Sequence, residues 1–213
     1  TGSPDDQNAG SSFTLTVRAV DQYWNRVPGI NDNIALSSTD LFADMPAETT
    51  LANGQLVMPV TLYRTGPQTI TASDLDSPSI APHTSEPVDI LPGTYSRIVI
   101  IAPGEEVAPG TAEGRTGSAT DQSINFAFTV SVYATDEWFN PVSGVSDVVS
   151  ISSNDPLAEL PPDAAMVDGV AHMNVRLSTG GYQQITATNV TQPAMPTSTT
   201  QVRAISSGFH LEA

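Results

Sequence analysis

Two groups of oxygen-bearing side chains recur along the chain in the same order and spacing. Aspartate, asparagine and aspartate stand at 21, 25 and 32, and again 115 residues later (136 − 21). Carboxylate and amide oxygens are the ligands that Ca²⁺ prefers, and it takes roughly six to eight of them. With two glutamates from an acidic central segment, the candidate calcium ligands are Asp21, Asn25, Asp32, Glu105, Glu106, Asp136, Asn140 and Asp147.

A structural role for the same carboxylates is the alternative to metal binding. Asp21 and Asp136 each follow an alternating apolar run and precede turn-forming residues. Aspartate in such a position commonly accepts hydrogen bonds from the backbone N–H groups of its own turn. No D-x-D-x-D-G loop occurs in the chain, so the calcium hypothesis depends on charge density and on the acidic central segment. The sequence leaves both interpretations open.

An aromatic pair lies inside each of these two groups. Tyr23-Trp24 occupies the first and Trp138-Phe139 the second. Flat rings with a polar edge can stack on sugar faces, so the pairs are candidate platforms for a carbohydrate or a receptor. Packing against the end of a domain or against a neighbouring unit explains the same register equally well.

Other catalytic chemistries lack a supporting motif. The chain has no cysteine, which excludes disulfides, thiolate catalysis and cysteine-ligated zinc. His83, His172 and His210 stand far apart, and there is no G-x-S-x-G elbow, phosphate loop or dinucleotide fingerprint. We therefore predict no catalytic residues and no enzymatic activity.

The charge balance narrows the choice of partners. The net charge is −16, and all seven positive charges are arginine. Such a surface repels phosphate backbones and anionic lipids, which argues against nucleic acid and against membrane insertion. The sequence contains neither an apolar run long enough to cross a bilayer nor a signal segment, so we expect any export signal or anchor to lie outside it.

The elements that carry these residues form an internal repeat. The segment D-Q-Y-W-N-R-V-P-G-I-N-D from Asp21 matches D-E-W-F-N-P-V-S-G-V-S-D from Asp136, and the offset holds without a gap over most of both copies. Apolar and polar residues alternate before each segment, as in half-buried strands. Further strands are predicted at 34–37, 58–62, 68–72, 97–102, 148–151, 173–177 and 183–187.

Short strands separated by Gly, Pro, Asn and Asp corners predict two antiparallel β-sandwich domains. We place the first at 1–92 and the second at 93–208, with 209–213 as the start of a further repeat or a tail. The apolar strand at 97–102 has no counterpart in the first copy, so the opening strand of that domain is expected to be missing. The Pro- and Gly-rich segment 103–117 is expected to be a long loop or an irregular edge.

The order of these features resembles the bacterial immunoglobulin-like repeats of the invasin and intimin type. Asp21 to Gly29 with the Ile70-Thr71-Ala72 ending, and Asp136 to Gly144 with Ile185-Thr186-Ala187, carry the likeness. The chain departs from the repeats where their usual glycine before Asn is replaced by Trp24 and Phe139. The resemblance implies an all-β fold of two tandem immunoglobulin-like sandwiches in a large surface protein, and no chemistry of its own.

The expected function is therefore that of a non-enzymatic spacer in a secreted or cell-surface, adhesin-like bacterial protein. Its expected partners are neighbouring repeats of the same polypeptide. Three alternatives stay open: a module that binds a polysaccharide or a host surface ligand, an accessory pair of an extracellular hydrolase, and a linker stiffened by calcium.

Overall fold

A computed structural model describes residues 3–206 of the chain, and these contain strands and turns without any helix. Accordingly, no helix in this range could span a membrane. The expected start of a further repeat at 209–213 lies outside the described residues. The chain divides into two compact units, one ending at Pro92 and one beginning at Gly93.

From residue 3 to Pro92, the first unit contains nine strands. They are β1 (Gln7–Asn8), β2 (Ser12–Arg18), β3 (Asn33–Ser38), β4 (Glu48–Thr50), β5 (Gln55–Thr61), β6 (Gly66–Gln68), β7 (Ile70–Asp74), β8 (His83–Thr84) and β9 (Val88–Leu91). Their hydrogen bonds give sheets of order β1-β9-β6, β2-β5 and β4-β3-β7-β8.

Up to residue 206, the second unit contains ten strands, and two of its sheets pack on each other. The strands are β10 (Arg97–Ile101), β11 (Glu105–Val107), β12 (Arg115–Gly117), β13 (Gln122–Ser123), β14 (Ala127–Thr135), β15 (Val148–Ser153), β16 (Ala164–Ala165), β17 (Val170–Arg176), β18 (Gly181–Asn189) and β19 (Ser198–Ile205). The sheet β10-β14-β17 packs on the sheet β13-β19-β18-β15-β16, and one apolar core includes residues of both.

The strands predicted from alternation are present. The alternating run in the second copy forms β14, where Phe128, Val130, Val132 and Ala134 point into the core with exposures of 8% or less. The all-β fold expected from the sequence is confirmed. Segment 103–117 is more ordered than a loop, since β11 and β12 pair antiparallel within it.

The two copies differ where the first copy has one extra residue. Thr84 occupies the place of Thr199 opposite a strand threonine, and Val88 the place of Val202 opposite a glutamine. Three residues lie between Thr84 and Val88, whereas two lie between Thr199 and Val202. Pro87 is one of the three. The continuous strands β18 and β19 correspond to the strand pairs β6–β7 and β8–β9 of the first unit. The pairing is interrupted there because an extra residue forms a bulge and proline cannot donate a hydrogen bond to the ladder.

Candidate functional site

The repeated Asp-x-x-x-Asn corner is held by its own backbone. In the first unit, the carboxylate of Asp21 accepts hydrogen bonds from the N–H groups of Tyr23 and Asn25, both at 2.9 Å, and from the Asn25 side-chain amide at 3.1 Å. The Asn25 side chain and these N–H groups lower the pKa of Asp21. The carboxylate thus organises its own turn.

Asp136 makes the same bonds and one more. It accepts from the N–H groups of Trp138 and Asn140 at 2.9 Å and from the Asn140 amide at 2.8 Å. Its second oxygen also accepts from the N–H of Gly93 at 2.8 Å. Asp136 and Asn140 are fully buried, whereas Asp21 and Asn25 are exposed. The extra bond fixes the segment that leads into β10.

The aromatic residue before each asparagine adopts an unusual backbone conformation. Trp24 has φ 66° and Phe139 has φ 65°. Bulky residues rarely take positive φ, which glycine reaches without strain. Both copies of this chain maintain the conformation with a large ring.

In the second unit the aromatic corner is partly covered, and Trp138 and Phe139 are half-buried. The guanidinium carbon of Arg97 lies 5.1 Å from the centre of the Phe139 ring, in cation–π geometry. Gly114 packs so closely on that ring that an added Cβ would overlap it. The N–H of Gly110 also donates to the carbonyl of Trp138 at 2.8 Å. Packing accounts for the Phe139 ring.

In the first unit the same corner is open. Tyr23 is 74% exposed and Trp24 is 67% exposed. The indole meets the ring of His83, with centroids 5.2 Å apart and planes inclined by 75°. We call Tyr23, Trp24 and His83 the aromatic patch. The sequence could not separate the two copies, since both have the same aromatic register.

The aspartate that closes the repeated segment has different neighbours in each unit. Asp147 accepts hydrogen bonds from the side-chain amides of Asn189 at 2.8 Å and Gln192 at 2.7 Å. Asp32 occupies the equivalent place, and partial burial together with the carboxylates of Asp74 and Asp76 raises its pKa. One of these amides, that of Asn189, is thus replaced by the carboxylate of Asp74 in the first copy.

Of the two candidate glutamates, only one is engaged. Glu105 accepts from the N–H of Ala102 at 2.8 Å and from the Thr200 hydroxyl at 2.9 Å, and it pairs with Arg115 at 3.5 Å. Glu106, the next residue in β11, is exposed. Within residues 3–206, no three His, Cys, Asp or Glu side chains are grouped to hold one metal ion. Calcium binding stays a prediction.

A second repeated carboxylate escaped the sequence reasoning. Asp155 is 3% exposed and accepts from the N–H groups of Leu157, Ser178 and Thr179 and from the Thr179 hydroxyl. Burial opposes its ionisation, but these hydrogen bonds outweigh it and lower the pKa to about 2. Asp40, 115 residues earlier (155 − 40), is 2% exposed and accepts from three backbone N–H groups. The identical offset was the signal available in the sequence.

Comparisons with known proteins give likenesses of fold only. No protein-family model matches the sequence, and neither does any curated protein. The chain is similar to the D0-D1 domain of intimin, at 14% identity over 93% of each chain with a TM-score of 0.34. It is similar to invasin, a bacterial integrin-binding protein, at 16% identity over 95% of this chain and 38% of that one, with a TM-score of 0.36. The β-glucuronidase 3 of Bacteroides uniformis shares 14% identity over 94% of this chain and 23% of that one, with a TM-score of 0.38. The fold of the chain is all-β, with a sandwich core shared by two sheets in residues 93–206.

Proposed function

We propose that this chain is a non-enzymatic spacer of a large bacterial secreted or cell-surface protein, where it projects a further module. One observation carries the proposal: four of the acidic residues that repeat between the copies serve their own folds. Asp21, Asp40, Asp136 and Asp155 each accept hydrogen bonds from backbone N–H groups of their own unit. These repeated carboxylates thus stabilise the turns of their own units. The expected partners of the chain are neighbouring repeats of the same polypeptide.

The strand pairing at the ends of each unit suits a load-bearing role. Near the start of the first unit, β1 pairs parallel with its last strand β9, and the N–H of Ala9 donates to the carbonyl of Leu91 at 2.8 Å. Pulling the two ends apart slides parallel strands past each other and loads these hydrogen bonds together. The second unit repeats the device, since β13 pairs parallel with β19 and Ile124 donates to Ile205 at 2.9 Å.

Stretching single molecules tests the spacer function. With the chain held between marker domains, we expect two discrete unfolding events, one for each unit. Ala9→Pro removes the donor to Leu91 and should lower the force of only one event. Ala81→Pro, in the exposed loop before β8, is the matched control and should leave both forces unchanged. A chain that extends without discrete events is no spacer.

A binding module is the second candidate, and the exposed aromatic patch favours it. Tyr23 and Trp24 present wide ring surface to solvent, whereas the same corner of the second unit is partly covered. If the patch binds sugars or a host surface ligand, a polysaccharide should shift the emission of Trp24. Trp24→Ala should abolish the binding and Trp138→Ala should not. Silence across a broad glycan panel would reject the sugar-binding function.

Two further roles remain proposals with their own tests. An accessory role in an extracellular hydrolase requires a catalytic domain elsewhere in the polypeptide, which the flanking sequence would reveal. A calcium-stiffened linker requires metal for its shape, and the acidic residues at 21, 32, 105, 106, 136 and 147 are its candidate ligands with Asn25 and Asn140.

A further inference from the structure

The two units differ most at one edge of one sheet. In the second unit β14 has two neighbours, because β10 pairs along one edge and β17 along the other. In the first unit the equivalent strand β2 pairs with β5, and residues 3–206 contain no strand along its other edge. The edge of β2 thus corresponds to the edge of β14 that receives β10.

The backbone of β2 presents hydrogen-bonding groups to this edge. Thr14 stands opposite Pro59 in β5, and proline has no N–H to donate. The Thr14–Pro59 pair is therefore a non-hydrogen-bonded one, so the backbone groups of Thr14, Thr16 and Arg18 point away from β5. Consistent with this alternation, the N–H of Ala19 points to the β5 side and donates to Gly54 at 3.1 Å.

The apolar face of β2 is also incompletely covered. Its side chains at 13, 15, 17 and 19 are half-buried, while their counterparts at 128, 130, 132 and 134 are buried. Ile98 and Ile100 of β10 belong to the core that covers those counterparts. A strand like β10 along β2 would place two apolar side chains over the open part of the first core.

Two further side chains near this edge, Asp21 and Trp24, are counterparts of residues that contact the segment leading into β10. Asp136 accepts from the N–H of Gly93, while its counterpart Asp21 is exposed. Arg97 lies over the ring of Phe139, whose counterpart is the exposed Trp24. The edge, the carboxylate and the ring thus match three separate features of residues 93–102.

We infer that the β2 edge of the first unit is an acceptor site for an extended apolar strand with the chemistry of residues 93–102, supplied from outside residues 3–206. The strand pairs antiparallel to β2 in the register of β10 on β14. In that register Ile98 lies opposite Ala19, Val99 opposite Arg18 and Ile100 opposite Val17. Its arginine stacks on Trp24, and its apolar side chains complete the first core.

A labelled peptide of residues 93–103 tests the inference on the full chain carrying Trp138→Phe. Trp24 is then the only tryptophan, so its emission reports the first unit. We expect saturable binding by anisotropy, with a change in Trp24 emission over the same concentrations. Arg18→Pro should weaken binding about tenfold or more, because it removes an N–H that faces the edge. Thr14→Pro, on the same edge but outside the register, should bind nearly as well as the parent.

Two modified peptides test the same hydrogen bonds without changing the protein, in case a proline variant fails to fold. Methylating the N–H of Val99 blocks the hydrogen bond toward β2 and should weaken binding about tenfold. Methylating Ile100 should have little effect, because in the second unit this N–H points away from β14 and donates to the Ser198 hydroxyl at 3.0 Å. Equal binding of both modified peptides would overturn the inference, as would no binding up to the solubility limit. A stable dimer of the chain that peptide does not dissociate would instead assign the edge to a second copy.

Discussion

The carboxylate of Asp155 lies beneath Thr179 and accepts hydrogen bonds from both its backbone N–H, at 2.9 Å, and its hydroxyl, at 2.7 Å. This contact ties the loop after β15 to the loop between β17 and β18. We expect Asp155→Asn to lower the free energy of unfolding of the second unit by about 2 to 3 kcal/mol, because buried donors lose a charged acceptor. Chemical denaturation followed by Trp138 emission in a Trp24→Phe background measures it. Asp163→Asn, at an exposed position, is the control and should change stability little.

The same carboxylate predicts a pH dependence. The pKa of Asp155 is about 2 in the folded unit against an ordinary 3.8. A lowered pKa stabilises the folded unit above the unfolded value, so this contribution is complete above pH ~4 and is lost as the pH falls toward ~2. Its size is about 2 to 3 kcal/mol. Unfolding free energies at several pH values between 5 and 2 should fall less steeply in Asp155→Asn than in the parent; equal slopes would contradict the assignment.

The acidic neighbours of Asp32 predict a stabilising substitution in the first unit. Asp74→Asn installs the residue that the second unit has at Asn189, where an amide donates to the equivalent aspartate. We expect the melting temperature reported by Trp24 in a Trp138→Phe background to rise. Because the pKa of Asp32 is raised, lowering the pH relieves the same repulsion, so the advantage of Asp74→Asn should shrink as Asp32 protonates. Asp89→Asn is the exposed control, and an equal rise in that variant would mean a general charge effect.

Alanine substitutions at two glycines of the second unit distinguish the cost of overpacking from the cost of backbone strain. Gly114 and Gly144 both have positive φ, 70° and 73°, but only a Cβ at Gly114 would overlap the Phe139 ring. Each alanine variant bears about 1 to 2 kcal/mol of left-handed strain. Gly114→Ala should lose a further 1 to 3 kcal/mol or so from overpacking. Equal losses in denaturation would show that the ring moves aside without cost.

The calcium proposal predicts a difference between metal-loaded and metal-free protein. A ligand that binds only the folded state raises the melting temperature. The two tryptophan reporters show which unit responds, and Asp32→Asn and Asp147→Asn test one candidate ligand in each. A rise in millimolar calcium over excess EDTA, lost in one of these variants, supports a site. Equal melting curves in calcium, EDTA and magnesium exclude one.

Strand positions were predictable because alternation reports the face that a strand buries. The pattern at Phe128, Val130 and Val132 and its copy at Phe13, Leu15 and Val17 both formed the expected strands. The broken strands of the first unit were not predicted. A single extra residue near Pro87 does not alter the apolar pattern, although it removes a ladder donor and shifts the register.

The burial and contacts of the candidate site residues could not be predicted from the sequence. Asp21 and Asp136 stand in matching segments, yet one is exposed and the other buried. Asp136 also accepts a hydrogen bond from Gly93, which lies 43 residues away in the chain, and no local pattern reports such a contact. Trp24 and Phe139 likewise differ in exposure, and Arg97 and Gly114, which contact Phe139, come from distant segments.

The unequal continuity of the strands gives the chain two different responses to tension. β18 is a continuous strand of nine residues, whereas the corresponding segment of the first unit is divided into β6 and β7 by a break at Thr69. A continuous ladder distributes a load over more bonds than an interrupted one does. We expect the first unit to yield at the lower force and lengthen the molecule while the second stays folded. In the proposed spacer function, such a difference is expected to let the chain lengthen in stages under a sudden pull.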